Sequence, residues 1–267
     1  MPSTVFLQFD APDAAVLTPR RLHAAWGHVF ELPEGISPER AARLPSLAAR
    51  PPHNLPGPKP YSVGQMSGQP GTIGAELRLL DDRLLDNLDG WLAWGGVLPL
   101  GDGSPEGTTL VVATEAQILE QSSWEQLAAD DAATAWEITL LSPTVFTSRG
   151  RHIPGITPAQ LATSLHARWR AWSPATLLPQ LRHDDLSVLT MQDRTESVRV
   201  SLGMSRTDQR GRLTRRAIPA TEGSLRISGV AGAPATRAFS CLMSLARFTN
   251  VGSHTAYGMG TLDVVAE

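Results

Sequence analysis

The spacing of apolar residues changes from segment to segment along this chain, and those changes predict its elements. Residues 4–9, TVFLQF, alternate in the way of a half-buried strand. Thr18 then precedes PRRLHAAWGHVFEL, whose apolar residues recur at helical spacing, with Pro19 at the first helical position. A shorter helical piece, SPERAARLPSLAA, follows. RPPHNLPGPKP, with five prolines in eleven residues, predicts an ordered but irregular loop. YSVGQM and TIGAELRLL read as paired strands, DRLLDNLDGWLAW as a helix and GTTLVVATEAQIL as a closing strand.

The second half repeats that order. AWEITLLSPTVF predicts a strand, and TPAQLATSLHARWRAW an amphipathic helix capped by Thr157. LSVLTMQ and SVRVSLGMS predict strands, with an arginine-rich turn, RTDQRGRLTRR, close behind. PATRAFSCLMSLARFT is a strongly apolar helix and GTLDVVA a last strand. Each half is β-α-β-β-α-β, so the expected class is α+β, two tandem ferredoxin-like (RRM-like) domains over 1–135 and 136–267. The order of elements repeats, while the sequence itself does not.

Composition sharpens this picture at three points. The single cysteine, Cys241, allows no internal disulfide and fits a reducing compartment. MPSTVFLQFDAPD lacks the basic start and long apolar run of a signal peptide, and no segment reaches the roughly 20 apolar residues of a membrane helix, so the expectation is a cytoplasmic protein with no membrane partner. The formal net charge of −3 hides an asymmetry: residues 1–144 carry 8 basic and 18 acidic side chains, a balance of −10. Residues 145–267 carry 15 against 8, a balance of +7, and every basic one is arginine. That suggests a polyanion partner for the second half, with forked contacts to phosphate. A GC-rich genome that uses arginine throughout is the plain alternative.

Near the end stands NVGSHTAYGMG, residues 250–260, between a helix and a strand. A dinucleotide or P-loop fingerprint lies between a strand and a helix, so those readings fail on context. Either Gly252 caps the helix before a tight turn, or amides of Gly252, Gly258 and Gly260 are exposed to an anion.

Several stretches together resemble the CRISPR repeat-processing endoribonucleases of the RAMP superfamily. LARFTNVGSHTAYGMG resembles that family's carboxy-terminal signature, HNLPGPKPYSVG its histidine and Lys-Pro-aromatic segment, and LLSPTVFTSRGRHIP the strand opening its second domain. SLHARWRAW and RLHAAWGHVF resemble two of its helices. The resemblance spans nearly the whole chain. It implies an enzyme that cuts CRISPR precursor transcripts within repeats without a metal, by 2′-hydroxyl attack, leaving a cyclic phosphate and a 5′-hydroxyl. The implied partners are repeat RNA as precursor and product, with room for other CRISPR effector subunits and a second copy of the chain.

Such chemistry needs proton transfer, suited to histidine near neutral pH, and a cation for the developing phosphorane charge. His53 matches the family's catalytic histidine and lies in an irregular loop. His23 matches a position for an active-site polar group, or is a partly buried helix histidine. Lys59, the chain's only lysine, is the charge stabiliser or an accident of composition. Ser253, His254, Thr255 and Tyr257, with the three glycines, are the expected RNA contacts, and Arg149, Arg151, Arg206, Arg210, Arg212, Arg215 and Arg216 the expected basic groove. No paired metal-ligand spacing appears, so neither metal nor cofactor is expected. The chain departs from the family at Leu44-Pro45, where many members carry Leu-His; its own histidine stands eight residues beyond Pro45. A family member that binds RNA without cutting, and a ferredoxin-like protein whose glycine loop holds a small anion, are the alternatives.

Replacing Arg212, Arg215 and Arg216 together by alanine should weaken RNA binding and flatten its dependence on salt. Filter binding across a salt series checks this; an unchanged slope would make the arginine turn bystander surface.

Overall fold

The structure is a computed structural model. It describes the chain apart from residues 12–17, 46, 56, 102–106, 149, 154, 175–176, 178 and 208–212, and apart from the side chains of 183, 204–207 and 213–216. The first half runs β1 (Ser3–Asp10), α1 (Pro19–Phe30), α2 (Pro38–Ala41), β2 (Tyr61–Gln69), β3 (Thr72–Leu79), α3 (Arg83–Ala93), β4 (Val97–Leu100), β5 (Thr109–Gln121) and α4 (Trp124–Ala129). The second runs β6 (Ala135–Thr144), β7 (Phe146–Ser148), β8 (Arg151–Ile153), α5 (Pro158–Trp172), β9 (Thr190–Thr207), β10 (Leu213–Ser228), α6 (Pro234–Leu245) and β11 (Leu262–Ala266).

The first sheet has the order β2-β3-β1-β5-β4 and the second β11-β6-β10-β9. Without its extra edge strand β4, the first is a ferredoxin-like sheet, and the second is one as it stands. Pairing is antiparallel, with Leu7 of the central β1 facing Ala75 on one side and Ala116 on the other. Val5, Leu7 and Phe9 all point into the core. In α1 the buried residues are Leu22, Ala25, Trp26, Val29 and Phe30, one continuous stripe at helical spacing. The Thr18 side chain accepts from the Arg21 amide, the expected cap. Helix α5 starts with a full capping box, Thr157 and Gln160 each accepting from the other's backbone amide.

Four expectations need correction. The helix expected after residue 37 is a single turn, Pro38–Ala41, and Pro45 close behind disfavours helical geometry at the residue before it. Leu186–Val188, expected to open a strand, belong to a 3-10 turn over residues 183–188, and α6 stops at Leu245, short of the predicted end. The two strands expected over 186–192 and 197–205 are one long strand, β9, and β10, which takes in the end of the expected arginine turn and runs on to Ser228, was not anticipated. The edge strand β4 was not anticipated: at four residues, with Pro99 inside it, it is too short to show a period.

The two units interlock. Ala256, from the glycine-rich segment, packs into the core built on Phe9, Trp26 and Phe30; Leu80, after β3, packs into the core built on Trp136, Trp169 and Phe239. Arg78 of β3 is only 5% exposed. Its guanidinium meets Glu76 through Nε and donates through Nη1 to the carbonyl of Ala246 at 2.9 Å and to that of Leu262 at 3.4 Å. A buried guanidinium is tolerable only when its donors are matched in this way. Arg78→Met should therefore destabilise the chain by about 3–5 kcal/mol, since it strands Glu76 and the carbonyls without a donor. Urea unfolding measures this, and a loss under about 1 kcal/mol would show that the seam does not depend on Arg78.

Candidate active site

Glu31 follows the last residue of α1, its backbone amide still donating to the Gly27 carbonyl as the helix ends. Its side chain is 3% exposed. One carboxylate oxygen accepts from His53 Nδ1 at 2.6 Å, and the other accepts from Lys59 Nζ and from the Tyr61 hydroxyl. Burial alone would raise its pKa, but the bonds from Lys59 and Tyr61, the Lys59 charge and the bond from His53 outweigh burial and hold it below the usual carboxylate range. Burial, with the neighbouring Glu31 charge, pushes the Tyr61 hydroxyl well above its ordinary value.

An ionised carboxylate only accepts, so His53 Nδ1 carries the hydrogen and the neutral ring keeps its lone pair on Nε2. His53 is 66% exposed, so the anchored ring still reaches solvent. His23, on α1, lies 5.6 Å from it between ring centroids and stacks on Tyr257 at 4.2 Å. Burial first, then the Lys59 charge, lowers the His23 pKa to about 4, so this ring is neutral near pH 7. Its Nδ1 is buried with no partner among the described residues.

The glycine-rich segment answers the question its sequence left open. Gly252, Gly258 and Gly260 all have φ between +75° and +83°. A Cβ on Gly252 would stand 2.3 Å from the Val145 carbonyl oxygen, and one on Gly260 1.9 Å from that of Val251. Both glycines are required by the fold. The amides expected to be exposed are largely consumed inside the protein. Gly252 donates to Ser164 Oγ at 2.8 Å, Ser253 to the Val145 carbonyl at 2.7 Å, and Gly260 to the Pro143 carbonyl at 3.1 Å. Gly258 donates to the Thr255 carbonyl at 3.2 Å. The segment thus meets its surroundings through side chains, not as an amide cradle. His254 takes a left-handed conformation, φ 62°, and its ring stands 5.4 Å edge-on to Tyr257.

Two residues with no sequence signal aim this segment. Asn250, fully buried, donates from Nδ2 to the Val63 carbonyl at 2.6 Å and to the Met259 carbonyl at 2.9 Å, tying the loop to β2. Arg168 lies on the buried face of α5, donating to the Gly252 carbonyl at 3.0 Å and to Ser164 Oγ at 2.7 Å. Burial lowers its pKa to about 10, so it remains a cation at neutral pH.

Between these parts lies a cleft of about 720 Å³ on the seam of the two units, with His23, Lys59, Arg168, Ser253, His254 and Tyr257 in its walls. Thr255 also lines it. The structure therefore brings together His23, His53 and Lys59, and sets the loop residues 252–257 beside them. Arg151 is exposed on β8. Arg206, Arg215 and Arg216 have their backbones in β9 and β10, but their side chains, like all of Arg149, Arg210 and Arg212, lie outside the described residues. Among the described residues His23, Glu31 and His53 offer ligand atoms within 4.8 Å of one another, a grouping that linear spacing hides. With the Lys59 ammonium already on its carboxylate, this grouping would hold a second cation against strong repulsion.

The model of the family CRISPR-associated endoribonuclease Cas6 matches residues 138–262. A Cas6 product complex is similar to the chain over 99% of its length and 99% of its own, at 24% identity and TM-score 0.64. Thermus thermophilus Cas6 is also 24% identical, with 99% of this chain and 98% of that one covered and a TM-score of 0.60. Another Cas6 product complex is 19% identical, with 100% and 99% covered and a TM-score of 0.67. No curated protein matches the chain. The match to the Cas6 family model thus lies in the second half of the chain, and over its whole length the chain shares the fold of Cas6 structures.

Proposed function

We propose that this chain cuts CRISPR precursor transcripts within their repeats, without a metal ion, by attack of a 2′-hydroxyl on the adjoining phosphate. The observation that carries this reading is the buried Glu31 carboxylate, which holds His53 and Lys59 on one anchor. Neutral His53 takes the 2′-hydroxyl proton on Nε2, and the resulting imidazolium is stabilised by the Glu31 charge through Nδ1. The 2′-oxygen bonds to phosphorus, the bond to the 5′-oxygen breaks, and the imidazolium returns the proton to that leaving oxygen. The products are a 2′,3′-cyclic phosphate and a 5′-hydroxyl. Lys59 offsets charge on the phosphorane, and buried Arg168 contributes positive potential from the cleft wall. His23, neutral at the working pH, stacks with Tyr257 and shapes the approach. Where Lys59 supplies the positive charge, no metal is needed for that role.

Single-turnover cleavage of repeat RNA tests the assignment. His53→Ala should slow the reaction by about 10²- to 10⁴-fold, the usual share of general acid–base catalysis, with RNA affinity little changed. Glu31→Gln keeps the shape but not the charge, and should lose much of the same factor. A 2′-deoxy nucleotide at the cut should stop the reaction, and chelator should not. Cleavage abolished by EDTA and restored by magnesium, or wild-type cleavage by His53→Ala with a dead His23→Ala, sinks the proposal. Binding without any cleavage would make the chain an RNA-holding subunit.

His23 also ties the site to stability. Its imidazole takes a proton at about pH 4 when folded but near 6.5 when unfolded, so the unfolded state binds more protons between those values. Stability should fall as pH drops from 6.5 towards 4. His23→Asn should show a shallower fall over that window in urea midpoints, and identical slopes would show that the ring titrates normally.

A further inference from the structure

A second cleft, of about 680 Å³, opens on the first unit between the end of α1, the segment after α2, and α3. Four of its residues bear on what it can hold. Trp94, at the end of α3, is 92% exposed, so the face of its indole is open for a base to stack on. Gly90 stands inside α3, where glycine costs helix stability, yet a Cβ there would meet nothing within 4 Å. The glycine serves no close approach; it leaves the floor of the cleft open. Asn87, 6% exposed, lines the cleft with a buried side-chain NH₂ that has no partner among the described residues. An orphaned amide of this kind is destabilising unless something else accepts from it. Arg50 lines the same cleft, and its buried Nε also lacks a partner among the described residues.

From these features we infer that the cleft holds one unpaired ribonucleotide of an RNA strand, its base stacked on Trp94 above Gly90. Asn87 donates to an acceptor on the base edge, Arg50 faces the phosphate, and Asp86, the carboxylate in the wall, accepts from a ribose hydroxyl. Arg83, also in the wall, is committed to Asp81 and leaves Arg50 as the cation free to meet phosphate. This rests on the reading of the chain as an RNA enzyme, but the contact is separate from cleavage.

The test is photocrosslinking of an eight-nucleotide 4-thiouridine RNA to the full chain, mapped by mass spectrometry. It is run in the wild type and in His53→Ala, so that failed cleavage and a failed cleft are told apart. Adducts are expected on residues 87–94 in both. Trp94→Ala should weaken binding of the oligomer about 5- to 100-fold, the range of one base–aromatic stack, while Trp94→Phe keeps most of it. Gly90→Leu fills the floor and should abolish the adduct without lowering the melting temperature. The deoxy oligomer should crosslink less. Absence of adducts on this segment in the wild type, adducts that persist in both Gly90→Leu and Trp94→Ala, or a protein partner that occupies the cleft and leaves RNA binding unchanged would overturn the proposal.

Discussion

A buried carboxylate at the end of the first helix is the constraint on which the rest of the site depends. A carboxylate this enclosed is stable as an anion only when donors surround it, and Glu31 draws its donors from 22, 28 and 30 residues away. To satisfy it, the proline-rich loop must bend back over α1 and the start of β2 must lie beneath. The irregular backbone of residues 51–55 and 57–60 is shaped by that demand. It is also braced from the second unit, where Trp172 donates to the Pro58 carbonyl at 3.0 Å.

In the proposed reaction one anion thereby does two things. It places the hydrogen of His53 on Nδ1, and with its other oxygen it holds the lone lysine, Lys59, in the wall of the cleft. Electrostatic catalysis depends on charges held in place before the substrate arrives, and a buried hub achieves this more rigidly than a surface pair.

The second unit contributes position more than charge. Its glycine-rich segment is clamped by Asn250 against β2 and by Arg168 and Ser164 against α5, so Tyr257 lies flat on His23 across the seam. Left-handed glycines let the chain pass within contact distance of the Val145 and Val251 carbonyls, which any side chain would block. The strain at His254 is the one left-handed non-glycine conformation among the described residues, and it lies where this segment meets the cleft. The seam thus both joins the two units and forms the wall of the site.

What the sequence determined by itself was local. The alternation of β1, the stripe of α1, the caps at Thr18 and Thr157 and the repeated order of elements were legible, because each is set by residues within a turn or two of one another. His53, His23 and Lys59 could be named as candidates from residue type, irregular context and resemblance. Glu31 could not, since an acid after a helix usually reads as solvated surface; Arg168 looked like a polar residue on an amphipathic helix, and Asn250 like the first residue of a turn. The metal-like grouping of His23, Glu31 and His53 and the spent amides of the glycine loop were equally hidden. Each depends on burial, and burial of a charge or an amide is settled only when partners distant in the chain close around it, which is a property of the tertiary structure alone.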